Sequence, residues 1–202
     1  MQHTHCYIVQ PINGRYNNKK NIDNKELILN ASIEDHKFVN RNGSVLALPI
    51  VNDNEYLQVN DEVIIHHNVF RRYYDVRGKE KNSSSYFEED KYFCYSDQIF
   101  LYKRNGKWFT PPGYCFVKPV KSYNDLSSDK EEPLVGILKH LGSDLKDLNI
   151  KDGDLVGFTP NSEYEFVIDN ERLYRIPINS ISIKYERRGT EVEYNPKWVG
   201  SL

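Results

Sequence analysis

Short apolar runs separated by polar stretches dominate the chain, and four of these runs occur twice in the same order. The matched pairs are 7–12 with 115–120, 43–46 with 136–138, 57–65 with 150–158, and 92–99 with 174–181. Runs of this length, rich in β-branched and aromatic residues and bounded by Gly, Pro, Asn and Asp, are typical of strands. The pattern therefore predicts one β-rich module that is present twice, in tandem.

The matched runs also end and turn in the same way. Pro11 and Pro119 close the first run of each copy, which suits an edge strand or a strand end because proline has no N–H to donate. At the centre of the third run of each copy is a turn, Asn60-Asp61 or Gly153-Asp154, followed by a strand, and Asn and Gly tolerate the left-handed backbone that a tight turn can require. Short strands with such turns favour small antiparallel barrels or sandwiches.

The two copies differ in the length of the polar segments between their runs. Residues 13–42 and 68–91 are long polar segments in the first copy, whereas 121–133 and 161–172 are their shorter counterparts. Length variation of this kind is typical of surface loops. We predict a first domain over 1–105, a second over 113–186 and a C-terminal arm over 187–202, with the connection near 105–112.

The ordered set of motifs resembles the GroES co-chaperonin module, over about residues 5–186. The set consists of a proline-closed strand, a long loop, a Gly-x-Val strand, a Gly-Asp-type turn with its strand, and a closing Asp/Asn-x-Ile strand. The resemblance implies an all-β fold of two tandem small GroES-like β-barrels. Double-domain members of this family exist, and divergent members are encoded by bacteriophages.

The resemblance also implies a function without catalysis or a cofactor. Co-chaperonins assemble into homo-oligomeric rings that cap a chaperonin ring and assist protein folding, and each subunit docks through an aliphatic tripeptide on a mobile loop. Leu27, Ile28 and Leu29 stand where the family has this tripeptide. The alternative is that these residues form another strand of the first barrel, because short apolar runs are ambiguous. The corresponding loop of the second copy holds only Leu126 among polar residues.

Aromatic and basic residues alternate in the second long segment, where the family has its roof loop. The candidate surface residues are Phe70, Arg71, Arg72, Tyr73 and Tyr74. Bases of single-stranded nucleic acid stack on such surfaces. Acidic residues at 88–90 and a net charge of −2 favour a solvated hairpin instead, so nucleic acid is not expected as a partner. A structural protein of a phage particle, packed against other virion proteins, is the second function that the sequence leaves open.

Composition and sequence motifs narrow the possible location and chemistry of the protein. The 202 residues are 39% apolar and 28% charged, as in soluble globular proteins, with no apolar run long enough to span a membrane and no secretory signal. We therefore expect a cytoplasmic protein, in the host cytoplasm or the virion if a phage encodes it. No nucleophile, phosphate-binding or dinucleotide motif occurs, and no metal site is expected. His66 and His67 are adjacent at a strand end, which predicts opposite faces and no shared ligand.

Overall fold

The computed structural model describes residues 2–22, 25–28, 32–51, 56–122, 130–141 and 149–200, and within these ranges the chain is all-β. Its helical elements there are 3₁₀ turns: His36–Phe38, Ser96–Gln98, Ile178–Ser180 and Lys197–Gly200. In this part of the chain no helix is long and apolar enough to cross a membrane. The chain divides into two compact units between Trp108 and Phe109.

The first unit contains one large antiparallel sheet and two small hairpins. Its strands are β1 (Tyr7–Pro11), β2 (Lys19–Ile22), β3 (Lys25–Ile28), β4 (Asn42–Ala47), β5 (Glu62–Ile65), β6 (Arg72–Tyr74), β7 (Glu80–Asn82), β8 (Tyr86–Glu88), β9 (Lys91–Cys94), β10 (Ile99–Arg104) and β11 (Lys107–Phe109). The seven-stranded sheet has the order β11-β10-β5-β4-β1-β9-β8. The pairs β2–β3 and β6–β7 form separate two-stranded sheets, so both long polar segments of the first copy contain a hairpin.

The second unit contains a six-stranded sheet. Its strands are β12 (Tyr114–Lys121), β13 (Glu131–Leu141), β14 (Leu155–Phe158), β15 (Tyr164–Ile168), β16 (Glu171–Pro177) and β17 (Ile181–Tyr185), in the order β15-β16-β12-β13-β14-β17. Part of the predicted C-terminal arm lies along β12. The Lys121 N–H donates to the Val192 carbonyl and the Tyr194 N–H donates to the Pro119 carbonyl, both at 2.8 Å.

The two sheets share strand order and register. β1 pairs with β4 and β9 in the first sheet, as β12 pairs with β13 and β16 in the second. Pro11 lies opposite Gly43, and Pro119 lies opposite Gly136. Each of these strand pairs also has a register shift at the same place, after Ile8 in the first copy and after the equivalent residue of β12 in the second. The sequence repeat is therefore also a repeat of strand pairing.

The turn before β5 and before β14 is built in the same way. Asn60 and Gly153 have φ of 72° and 87°, the left-handed conformation that Asn and Gly tolerate best. Asp61 and Asp154 each accept the backbone N–H of the residue three positions earlier, at 2.8 Å in both copies. The same side-chain-to-backbone hydrogen bond therefore closes the turn before the next strand in both copies.

The core of each unit comes from the strands of its own sheet. The first cluster includes Tyr7, Val9, Val45, Val63, Ile65, Tyr92, Cys94 and Ile99, and the second includes Cys115, Val117, Leu138, Val156, Phe158 and Ile176. Within the described residues neither sheet is closed, since β8 and β11 end the first and β15 and β17 end the second. The prediction of an all-β fold is therefore confirmed, and each unit contains one large β-sheet in which the equivalent strands follow the same order. Closure of these sheets into barrels is not seen within the described residues.

Candidate functional site

The β2–β3 hairpin carries the aliphatic residues that the sequence singled out. Leu27 and Ile28 lie on β3 with 51% and 59% of their surface exposed, and Leu29 lies outside the described residues. In the described part of the chain β3 pairs with β2 and not with the seven-stranded sheet. These two side chains therefore do not belong to the core of the first unit, contrary to the alternative of another sheet strand.

Hydrogen bonds on both sides clamp the base of this hairpin. The Asn17 N–H donates to the Phe38 carbonyl at 2.8 Å, and the Asn40 N–H donates to the Arg15 carbonyl at 2.9 Å. The buried Asn40 side chain donates from Nδ2 to the carbonyls of Ile12 and Gly14, at 2.5 and 2.6 Å. A buried amide with its donors satisfied holds the chain in one conformation. These hydrogen bonds therefore hold in place the residues from which the β2–β3 hairpin extends.

Arg15 connects that base to the β6–β7 hairpin. Its Nε donates to the Phe70 carbonyl at 3.0 Å, Nη1 donates to Asn82 Oδ1 at 2.8 Å, and Nη2 donates to the Arg71 carbonyl at 3.3 Å. Its guanidinium lies 5.2 Å from the centre of the Tyr92 ring. Burial lowers the pKa of Arg15, as does the charge of Arg72, and electrostatic interaction with the Tyr92 hydroxyl opposes that effect. One side chain therefore holds both ends of the β6–β7 hairpin.

Phe70 is not a surface residue, and its assignment to the roof-hairpin surface is wrong. Its side chain is fully buried, and its ring packs edge-on against Tyr92 at 4.9 Å. Phe70 lies in the turn between β5 and β6, before the β6–β7 hairpin begins, and its ring packs in the core of the first unit. Alternation of aromatic and basic residues does not reveal which of them precede the hairpin and which belong to it.

The other four predicted roof residues lie on or next to β6. Tyr73 and Tyr74 are exposed, whereas Arg71 and Arg72 are half-buried. Arg72 forms an ion pair with Glu80 on β7 at 2.7 Å. The charge of Arg72 is thus matched within the hairpin, as expected of a solvated hairpin.

The two hairpins are joined by hydrogen bonds next to their bases. The Tyr74 N–H donates to Glu34 Oε1 at 3.0 Å. The Tyr16 hydroxyl accepts from the Arg72 N–H at 2.8 Å and donates to the Ile33 carbonyl at 2.7 Å. Sequence reasoning missed these residues, since each is a single polar side chain within a polar segment. A lone aromatic such as Tyr16 in that setting was the one available signal.

His66 and His67 do not point to opposite faces. β5 ends at Ile65, so the alternation of a strand no longer applies to them, and their rings stack with centroids 4.4 Å apart. Among the described residues, no group of three or more His, Cys, Asp or Glu side chains is arranged to hold a metal ion.

A polar cleft of about 480 Å³ lies between the 58–62 segment and residues 103–106. Its main charges satisfy each other, since Arg104 donates from Nε and Nη2 to the two carboxylate oxygens of Asp61 at 2.9 and 2.6 Å. Arg104 also donates to the Tyr56 carbonyl at 2.8 Å. The charged groups Asp61 and Arg104 of this cleft are therefore occupied by a structural ion pair with each other. The exposed β2–β3 hairpin remains the candidate site.

Comparison with known proteins assigns no family to this site. The resemblance to co-chaperonins rests on the sequence motifs of the repeat. No protein-family model matches the chain, and a search of curated proteins finds no match to it.

Proposed function

We propose that this protein is a co-chaperonin that docks on a chaperonin ring through the β2–β3 hairpin. The observation that carries the proposal is the exposure of Leu27 and Ile28 on a hairpin outside the main sheet. Aliphatic side chains in water gain free energy when a partner covers them, at about 25 cal/mol per Å². Because these two side chains are only half exposed, the gain is about 1 kcal/mol for each of them.

Weak contacts of this size suit a multivalent partner. Several hairpins that bind at once convert low affinity per subunit into useful avidity. We therefore propose that the protein works as a homo-oligomeric ring in the cytoplasm, of the host if a phage encodes it. It needs no cofactor for this role, which is binding without catalysis.

We also propose that each sheet curls into a GroES-like barrel. The support is that the strand residues in the buried core of the first unit come from five strands of its large sheet, and those of the main cluster in the second unit come from four strands of its sheet. A single sheet buries one face without a second layer only by curving around its own side chains.

Docking is expected through the first copy alone. Residues 121–133, the counterpart of the first long segment, contain no aliphatic triplet, and 123–129 lie outside the described residues. The two copies then divide the work, with the first as the binding module and the second as the scaffold.

A refolding assay with a chaperonin and ATP tests the proposal. Ile28→Asp places a charge on the docking hairpin, and Val76→Asp places the same charge on the fully exposed turn between β6 and β7. We expect wild type and Val76→Asp to support refolding of a denatured client, and Ile28→Asp to lose both that support and binding to the chaperonin. The proposal fails if wild type gives no support, or if Ile28→Asp equals wild type.

A further inference from the structure

Three histidine rings form a row where the first long segment returns to the sheet. His36, on the 3₁₀ turn His36–Phe38, has its ring centroid 5.3 Å from that of His67. His67 in turn stacks on His66 at 4.4 Å and 28° between planes. His66 contacts Phe100 edge-on at 5.9 Å. The row thus joins the turn that follows the β2–β3 hairpin to the residues that follow β5.

The hydrogen bonds in this row favour uncharged rings. His66 Nδ1 accepts the Asn68 N–H at 3.1 Å, which requires an unprotonated nitrogen. His67 Nδ1 is buried and has no hydrogen-bond partner within the described residues. A proton added there would become a buried donor without an acceptor, which costs free energy.

The charged groups around His66 and His67 also favour the uncharged form of these rings. Burial first, then His66, Arg41, His36 and Arg71, lower the pKa of His67 to about 4. Burial and Arg41 lower the pKa of His66, whereas Asp97 on the 3₁₀ turn Ser96–Gln98 opposes this.

The charged neighbours on the first 3₁₀ turn are Lys37, which is part of it, and Asp35, which caps it. The Asp35 carboxylate accepts the Lys37 N–H at 3.1 Å. That bond is local to the turn. Proton uptake by His67 therefore places a cationic ring against His66 and close to Arg41 and Arg71.

We propose that the contact of His36 with the stacked pair His66 and His67 is a pH-sensitive latch, which holds the turn His36–Phe38 against the end of β5 and releases it when His67 is protonated. This role does not depend on the function proposed above. Released histidines titrate near 6.5, whereas the latched His67 takes up its proton only near 4. Between these values the released state binds more protons, so the latch weakens as the pH falls and is fully in place above about 6.5.

Release is measured at the turn itself. The Phe38 N–H donates to the Asp35 carbonyl at 3.2 Å, and the Val39 N–H donates to the His36 carbonyl at 3.3 Å. NMR provides both readouts in the full-length protein: the histidine ring signals give the titration of each ring, and amide exchange at 38 and 39 reports opening. Exchange rates are corrected for the intrinsic dependence of exchange on pH.

Three variants separate a latch from a merely structural role. His67→Phe keeps a stacked ring that cannot take up a proton, and His5→Phe is the control at an exposed histidine outside the row. Arg71→Gln removes one of the cations that face His67 and tests the electrostatics without altering the row.

We expect wild type and His5→Phe to open at 38 and 39 by about 70-fold more at pH of about 4.5 than at about 7.5. His67→Phe should show less than about twofold, and Arg71→Gln should raise the pKa of His67 and move release to higher pH. The proposal is overturned if His67 titrates at its ordinary value, if wild type and His67→Phe respond equally to pH, or if Arg71→Gln leaves the titration of His67 unchanged. The titration of His67 in Arg71→Gln tests the proposal even if the His67→Phe variant does not fold.

Discussion

Asp61 and Asp154 occupy the same place in the turn that is repeated before β5 and β14, but they differ in burial, which makes their alanine variants a matched pair. The Asp61 side chain is 4% exposed and the Asp154 side chain is 23% exposed. Both carboxylates accept a backbone N–H at 2.8 Å. Asp61 also accepts two hydrogen bonds from Arg104, whereas Asp154 forms an ion pair with the more exposed Lys184 at 2.7 Å.

The difference in burial determines how much stability each alanine variant is expected to lose. Asp61→Ala leaves the Gln58 N–H with no protein acceptor in a partly buried site, which costs about 1–3 kcal/mol. Loss of the bidentate Arg104 contact adds about 0.5–1 kcal/mol, since that guanidinium can still reach water. The total is about 2–4 kcal/mol. Asp154→Ala should cost about 1 kcal/mol, because water replaces the carboxylate at both of its partners.

Hydrogen exchange read by mass spectrometry measures the two units separately, which a single unfolding curve of a two-unit chain does not. Asp61→Ala should lower the free energy of opening at β4 and β5, and Asp154→Ala should lower it less at β13 and β14. Equal losses in the two alanine variants, or a larger loss in Asp154→Ala, would refute the reasoning from burial.

Two further predictions follow from close packing. A Cβ at Gly136 would lie 2.9 Å from the Lys118 carbonyl oxygen, so Gly136→Ala should lower the free energy of opening at β13, measured by hydrogen exchange, by about 1–2 kcal/mol. Gly157→Ala should cost less than half as much, because its contact is the movable Tyr185 ring at 3.1 Å; equal losses would contradict this. All three thiols should resist alkylation at pH of about 8 until the protein unfolds, since burial raises their pKa, for Cys115 to about 12. They are Cys6, Cys94 and Cys115. Rapid labelling of the native protein would refute the burial of these side chains.

The main sheets could be predicted from sequence because strands that pair in the same way in both copies have similar sequences at the same positions. A Cβ at Gly43 would lie 3.0 Å from the Gln10 carbonyl oxygen, and Gly136 has the same approach to the equivalent carbonyl of β12. Each copy therefore keeps glycine where two backbones come close. Such a requirement leaves a mark in the sequence that is independent of which apolar side chains fill the core.

The candidate site was only partly predictable. Leu27 and Ile28 were found as an aliphatic run, but nothing local distinguishes a strand in a separate hairpin from a strand in the main sheet. Their environment depends on Arg15 and Asn40, whose partners lie up to 67 residues away along the chain. Phe70 was assigned to the wrong side of the fold for the same reason, since its burial depends on contact with Tyr92.

During folding, β1 and β12 compete as partners for β4 and β13, because their registers are interchangeable. Synthesis from the N-terminus removes part of this competition, since every strand of the first sheet has left the ribosome before β13 is complete. Refolding from denaturant has no such order, and sheets that exchange strands between the copies are the kinetic traps expected there. The different lengths of the intervening segments, which set the cost of closing each loop, then bias the chain toward pairing within a copy.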